Sequence, residues 1–501
     1  MHDERNQEIL IILVDVDRIL YKGLKYFFFL MALASSWMLA ALETEGEMTR
    51  ELTGEGIKDV LQGVTSFHFT FISALVCLSL LIIVSIVFDK LGAKLGIPGS
   101  IFLFFCGLFF HVSGYSFELF PLEEIHVVAL SILLFFSGLS FDGTLLRKNK
   151  VLPNSILLAL LGTFLSMMFW LAYLGFGYSF FQNTFGYLEG VKPSILWLIA
   201  VSSVFSLAVQ DWNSFVFVSK RIKDFRAVVS NIFKVETAVS AAISVAVAEI
   251  LVLAWISLNP GYSPIANSEL VISIFKGFLI GSLSGLILGI LLTYLIRYLL
   301  TSKAQLILAA VAFTFIGYSI SVFAVHQGGY LCALIMGIVT SLSYRSCSRE
   351  DEIEFLSEEL ESLNIACEAI LFFAIGLGLQ PVQFFSHLPI AIYTWIGIIL
   401  VRPITVSLFF RGPSMASQEK KLLANWSPKG AISMALIVTT PLLLDDTFGI
   451  EVARILPENS ITFMSDVVCG AVLFSLIFKA LMIPRLHEKL FSSLNSSENI
   501  S

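Results

Sequence analysis

The chain has 501 residues, of which 57% are hydrophobic and only 14% charged, and its mean hydropathy is +0.86. The formal net charge of −7 gives no argument for a nucleic-acid partner, and no basic cluster supplies one. The longest polar connection, 43–66, is too short to house a soluble domain.

Fourteen apolar stretches follow in order: 24–42, 67–88, 98–114, 125–141, 153–180, 193–219, 230–256, 269–297, 304–325, 329–343, 362–379, 386–409, 421–444 and 461–483. A bilayer-crossing helix needs about 20 apolar residues. These runs are continuous rather than alternating, which selects helices over a β-barrel. The sequence therefore predicts an all-α polytopic membrane protein with 13–14 transmembrane helices. The span at 24–42 reads as a retained helix, with a cleaved signal peptide as the alternative, which leaves the count open by one.

Lys and Arg gather in alternate connections. With the N-terminus in the cytoplasm, 23 of the 31 lie in inward connections. Four, Arg50, Lys58, Lys192 and Arg454, lie outside, and Lys276, Arg402, Lys429 and Lys479 lie within spans. The positive-inside rule then places both termini in the cytoplasm, given a retained first helix. Six cysteines, Cys77, Cys106, Cys332, Cys347, Cys367 and Cys469, show no metal-ligand spacing. The sequence predicts no cofactor, and no nucleophile–base set that would make an enzyme. His487-Glu488, near the C-terminus, reads as a solvated surface.

Spans 2–7 and 9–14 form two sets of six that cross the membrane in opposite senses, with span 8 between them. This predicts inverted six-helix repeats at 67–260 and 304–485, a linking helix at 261–303, an N-terminal helix and outer loop at 1–66, and a short tail at 486–501. The fifth span of each set is interrupted. Span 6 carries Gln210-Asp211-Trp212-Asn213-Ser214 near its middle, and span 13 carries Trp426-Ser427-Pro428-Lys429-Gly430. Proline removes a backbone donor and glycine tolerates unusual dihedrals, so both spans are predicted to break. A carboxylate suits the exposed N-terminal end of a half-helix, and an ammonium suits a C-terminal end.

Ionisable groups at membrane depth pair or work. Asp211 and Glu236 are the candidate cation- or proton-binding acids, with Thr237 and Ser240 as neutral oxygen ligands. Glu236 reads equally as an ion-pair partner that orients span 7. Lys429 is the counter-charge at its break. Ser203, Ser206, Gln210, Glu249, Glu368 and Arg402 are supporting candidates. Glu368, with Asn364 one turn before it, and Asp466 are candidate partners for Arg402, Lys429 or Lys479. Lys276 and Lys479 can snorkel to the interface. Gly277, Gly281, Gly285 and Gly289 form a ladder on span 8, read as tight packing within the chain or as a dimer face.

Several segments resemble the monovalent cation:proton antiporter superfamily. LGAKLGIPGSIFLFFCGLFF (91–110) and LSILLFFSGLSFDGTLLRKN (130–149) are similar to two of its early motifs. GGYLCALIMGI (328–338), ILFFAIGLGL (370–379), VRP (401–403) and WSPKGAISMAL (426–436) resemble its later ones, in order. Glu236-Thr237 and the Gly-Ala-Ile-Ser run resemble the sodium/proton exchanger branch. The family's Thr-Asp-Pro break aligns with Gln210-Asp211-Trp212, and its Gly-Glu-Ser with Val235-Glu236-Thr237. Its Arg at the second break aligns with Lys429. The family's Asn-Asp pair, whose Asp is the usual carrier, falls on Ser240 and Ala241, so the carrier carboxylate is missing.

The resemblance implies a secondary transporter that exchanges Na⁺ or K⁺ for protons by alternating access, working as a homodimer in a bilayer. The short C-terminal tail points to a bacterial inner membrane. The cation would be held at Asp211 and Glu236. Ala241 motivates the alternative of a transport-inactive homologue that acts as a sensor or partner protein.

Overall fold

Interrupted helices organise the chain. The computed structural model describes residues 81–112, 122–141, 152–185, 193–222, 225, 227–258, 267–298, 303–324, 328–346, 350–410, 415–427, 429–442 and 458–498. Among them are helices and turns and no strand. Residues 85–117 and 121–501 form one unit; of the other, 1–84 with 118–120, only 81–84 are described, and they are helical. The expected spans at 24–42 and, before residue 81, at 67–88 lie outside the described residues, as does the connection 43–66.

In chain order, α1 covers 81–95, α2 Ser100–Val112, α3 Leu122–Leu139 and α4 Leu152–Leu157. A π-turn at Leu158–Gly162 joins α4 to α5, Thr163–Phe185. Next come α6 Pro193–Ala208, α7 Trp212–Ser219, α8 Ala227–Leu258, α9 Asn267–Tyr298, α10 Lys303–Ala324 and α11 Gly329–Ser346. The chain continues with α12 Glu350–Gly378, α13 Pro381–Phe409, α14 Ser417–Asn425, α15 Ala431–Leu442 and α16 Glu458–Glu498. Among the described residues, seven segments are long and apolar enough to cross a membrane, and four shorter apolar helices join them, within Ser100–His111, His126–Leu139, Trp197–Ala208 and Gly329–Ser343. The chain is a multi-pass, all-helical membrane protein.

Two crossings rest on paired glycines. A Cβ placed on Gly107 or Gly376 would overlap backbone of the facing helix, α12 or α2. Gly138 and Gly337 stand in the same relation across α3 and α11. The glycine ladder of α9 packs within the chain: Gly281, Gly285 and Gly289 face Gly328, Cys332 and Val339. Lipid-facing surface is apolar, as at Phe275, Ile287 and Phe323, which are 69%, 62% and 97% exposed.

The last helix corrects the sequence reading. α16 runs unbroken past the expected span end at 483, through Pro484, to Glu498, so part of the expected tail is helical. His487 is buried rather than solvated, stacked between the rings of Phe225 and Phe491. The continuation buries Phe491 in the cluster that surrounds Trp426.

Candidate functional site

The two broken helices meet at their breaks. α6 stops at Ala208, and Asp211 takes an extended conformation (φ −106°, ψ 120°) before α7 starts. Its carboxylate accepts from the Ser214 backbone N–H at 2.8 Å and from the Ser214 hydroxyl, the geometry of a helix N-cap. α14 ends at Asn425, Trp426 is extended, and α15 resumes at Ala431. A Cβ on Gly430 would overlap the Asp211 carboxylate. Glycine at 430 thus lets one buried carboxylate face the first turns of both α7 and α15, where helix N-termini favour negative charge.

Lys429 is fully buried and takes the complementary position. Its ammonium donates to the Val209 carbonyl at 3.0 Å, at the C-terminal end of α6, and stands 5.1 Å from the Trp170 ring centroid. The carboxylate and the ammonium of the two breaks therefore sit at half-helix ends of the sign that stabilises each.

Glu236 is bound elsewhere. Both its oxygens accept from Arg402, with Nη2 to Oε2 at 2.7 Å. Arg402, on α13, also donates through Nε to the Trp426 carbonyl at 3.1 Å and lies near that of Leu423. It thereby caps α14 while pairing α8. Lys479 adds a second cap by donating to the Asn425 carbonyl, so it is buried and engaged rather than snorkelling. Beneath the break, Phe215, Phe225 and Phe233 pack on the Trp426 ring at 4.7, 5.3 and 5.5 Å.

The neutral candidates separate. Thr237 donates to Phe233 O within its own helix, and Ser240 donates to Thr237 O while accepting from the Gln210 N–H at 3.2 Å. Gln210 accepts from Ser427 at 3.2 Å. Ser206 donates to the Ser433 carbonyl, and Ser203 to Ile199 O while accepting from Tyr178. Among the described residues no hydrogen bond joins Asp211 to Glu236; Lys429 lies within electrostatic range of both. Ala241 is fully buried in the main apolar cluster. The Glu249 side chain lies outside the described residues. A polar cavity of about 10 Å³, the size of one water, lies beside the π-turn and is lined by Gln210, Glu236, Arg402, Ser427 and Trp170 among others.

Glu368 and Asp466 do not pair with Arg402, Lys429 or Lys479. Glu368 accepts from Asn213 at 2.8 Å and from Ser100 at 3.3 Å. Asn364 donates to the Asn213 side-chain oxygen. Asp466 accepts from His387 at 2.7 Å. The first turn of α7 therefore joins Asp211 to α12, a link that sequence reading missed. The polar run 210–214 marks Asn213, but nothing in it names a partner 155 positions away.

Two interrupted helices that meet at their breaks, with buried charges of both signs, define the class: a polytopic transporter fold. The sodium/hydrogen exchanger transmembrane family model matches residues 77–489, and the chain belongs to that family. It shares its fold with the sodium proton antiporter MjNhaP1 from Methanocaldococcus jannaschii. The structure of that protein at pH 8 aligns at 18% identity and a TM-score of 0.66, over 84% of this chain and 99% of the other. A structure of the same antiporter from electron microscopy aligns at 17% identity and 0.63, over 84% and 98%. No curated protein matches the sequence.

Proposed function

We propose that the protein exchanges a monovalent cation, Na⁺ or K⁺, for protons, with Asp211 as the carrier carboxylate. Family membership supports the reaction class. The observation that carries the assignment is the buried Asp211 carboxylate at the meeting point of the two breaks, against Gly430. Competition between cation and proton for one carboxylate is what antiport requires, and Ala241 cannot provide it. Glu236, with Thr237 beside it, orients α8 through Arg402, and Lys429 balances the breaks. The repeat boundaries at 67–260 and 304–485 belong to the same proposal. The glycine crossings support it: exchanging span 3 with span 10 and span 4 with span 11 turns one crossing into the other. A homodimer in a bacterial inner membrane, with both termini in the cytoplasm, completes the reading.

The test is dissipation of a pH gradient in proteoliposomes on adding Na⁺ or K⁺, comparing the protein with its Asp211→Asn variant. Flux in the first and none in the second is the expected result. Equal flux in both would refute Asp211 as carrier.

One observation favours a second reading. The position of the family's usual carrier is an alanine packed in the apolar core, and the neighbouring acid is fully engaged by Arg402. A sensor that binds the cation without moving it fits that arrangement, and absence of flux from folded protein would select it.

A further inference from the structure

Buried carboxylates in this protein mostly meet a basic partner. Glu236 has Arg402, Asp466 has His387, and Asp211 lies within electrostatic range of Lys429. Glu368 differs. It is 7% exposed on α12, and its partners are the neutral Asn213 and Ser100. Two acids, Asp211 and Asp89, lie within electrostatic range of it. A carboxylate held at membrane depth beside another acid, with no basic hydrogen-bond partner among the described residues, is neutralised either by a proton or by a bound cation, and the two compete for it.

A second observation points the same way. Asn364 precedes Glu368 by one turn and shares its helix face. Its amide nitrogen donates to Asn213, whose own amide donates to Glu368. The Asn364 side-chain oxygen is buried and has no hydrogen-bond partner. An orphan buried acceptor costs free energy, about 1–3 kcal/mol, unless something donates to it. Each Glu368 oxygen and the Asn213 oxygen accept one hydrogen bond, which leaves each a further lone pair, and the Asn364 oxygen accepts none.

We propose that Glu368, Asn364, Asn213 and Ser100 form a binding position for a hard monovalent cation, next to the Asp211 break. All the donors are oxygen, which suits Na⁺ or K⁺. One carboxylate with neutral oxygens is too little charge for Ca²⁺, which takes six to eight oxygens with several carboxylates. Asn213, in the first turn of α7, couples the position to Asp211 at the N-cap of the same helix. The proposal rests on the exchange reading, for which it supplies a second station two residues along the broken helix.

Equilibrium binding of ²²Na⁺ and ⁸⁶Rb⁺ (standing in for K⁺) to the purified full-length protein tests it, with proteoliposome exchange measured in parallel. Glu368→Gln keeps the volume while removing the charge; its amide oxygen can still accept from Asn213 and its NH₂ can donate to the Ser100 hydroxyl. It is expected to weaken binding of the accepted cation by about tenfold or more. Asn364→Leu removes the orphan oxygen and is expected to weaken binding severalfold; it also serves where the Gln variant fails to fold. Loss of binding in these variants supports the proposal. Exchange in the wild type with unchanged cation binding in both variants overturns it and leaves the exchange reading standing. A wild type that neither exchanges nor binds either cation overturns both.

Discussion

Arg402 grips both oxygens of Glu236 and, through the same guanidinium, the carbonyl end of α14. One side chain therefore ties α8, α13 and the second break together. The pair is buried, and breaking it by removing one member strands a charge. Arg402→Leu is expected to destabilise the protein by about 3–5 kcal/mol, and Glu236→Leu with Arg402→Leu to recover most of that loss. Thermal unfolding in detergent reads both; an unchanged midpoint in Arg402→Leu would contradict the structural role.

Asp211→Asn should fold normally. Asn caps helices about as well as Asp, so the variant is expected to lose less than about 0.5 kcal/mol, whereas Asp211→Ala is expected to lose about 1 kcal/mol. The measurement is again the unfolding midpoint. A large loss in the Asn variant would mean that the charge itself holds the breaks together, and that flux lost by this variant reports misfolding.

Gly430→Ala places a methyl group where the Asp211 carboxylate stands. Overpacking at such a position costs about 1–3 kcal/mol. The expected result is a lowered midpoint, with exchange reduced more than stability alone explains. Wild-type exchange in this variant would show that Asp211 and Gly430 separate during the cycle.

Ala241→Asp restores the acid that the resembled family carries. Position 241 lies in a packed apolar cluster. The variant is expected to lose several kcal/mol, more than Ala241→Ser, because an unpaired buried charge costs more than a hydroxyl, which costs roughly 1–3 kcal/mol. A variant as stable as the wild type would show that the site has kept a vacancy for the lost carboxylate.

Local chemistry made much of this legible in the sequence. Hydropathy marked the spans, and Gln210–Ser214 and Trp426–Gly430 marked the breaks because proline, glycine and charge are costly inside a lipid-embedded helix. Half-helix polarity anticipated that Asp211 would cap an N-terminus and that Lys429 would face a C-terminus. Pairings were not legible. Glu236 finds Arg402 at a separation of 166 residues, and Lys479 finds Asn425 at 54, through packing that no periodicity encodes. His487 misled for a related reason: a polar pair after Pro484 looks like a tail until Phe225 and Phe491 enclose it.

The glycine crossings carry a mechanical consequence. Where Gly107 meets Gly376 and Gly138 meets Gly337, backbone lies on backbone, with no side chain between to change rotamer. Sliding either pair of helices by one residue would drive a Cβ into a peptide group. α2 with α12, and α3 with α11, are therefore rivets: any large rearrangement carries each pair as one rigid body and must be taken up elsewhere.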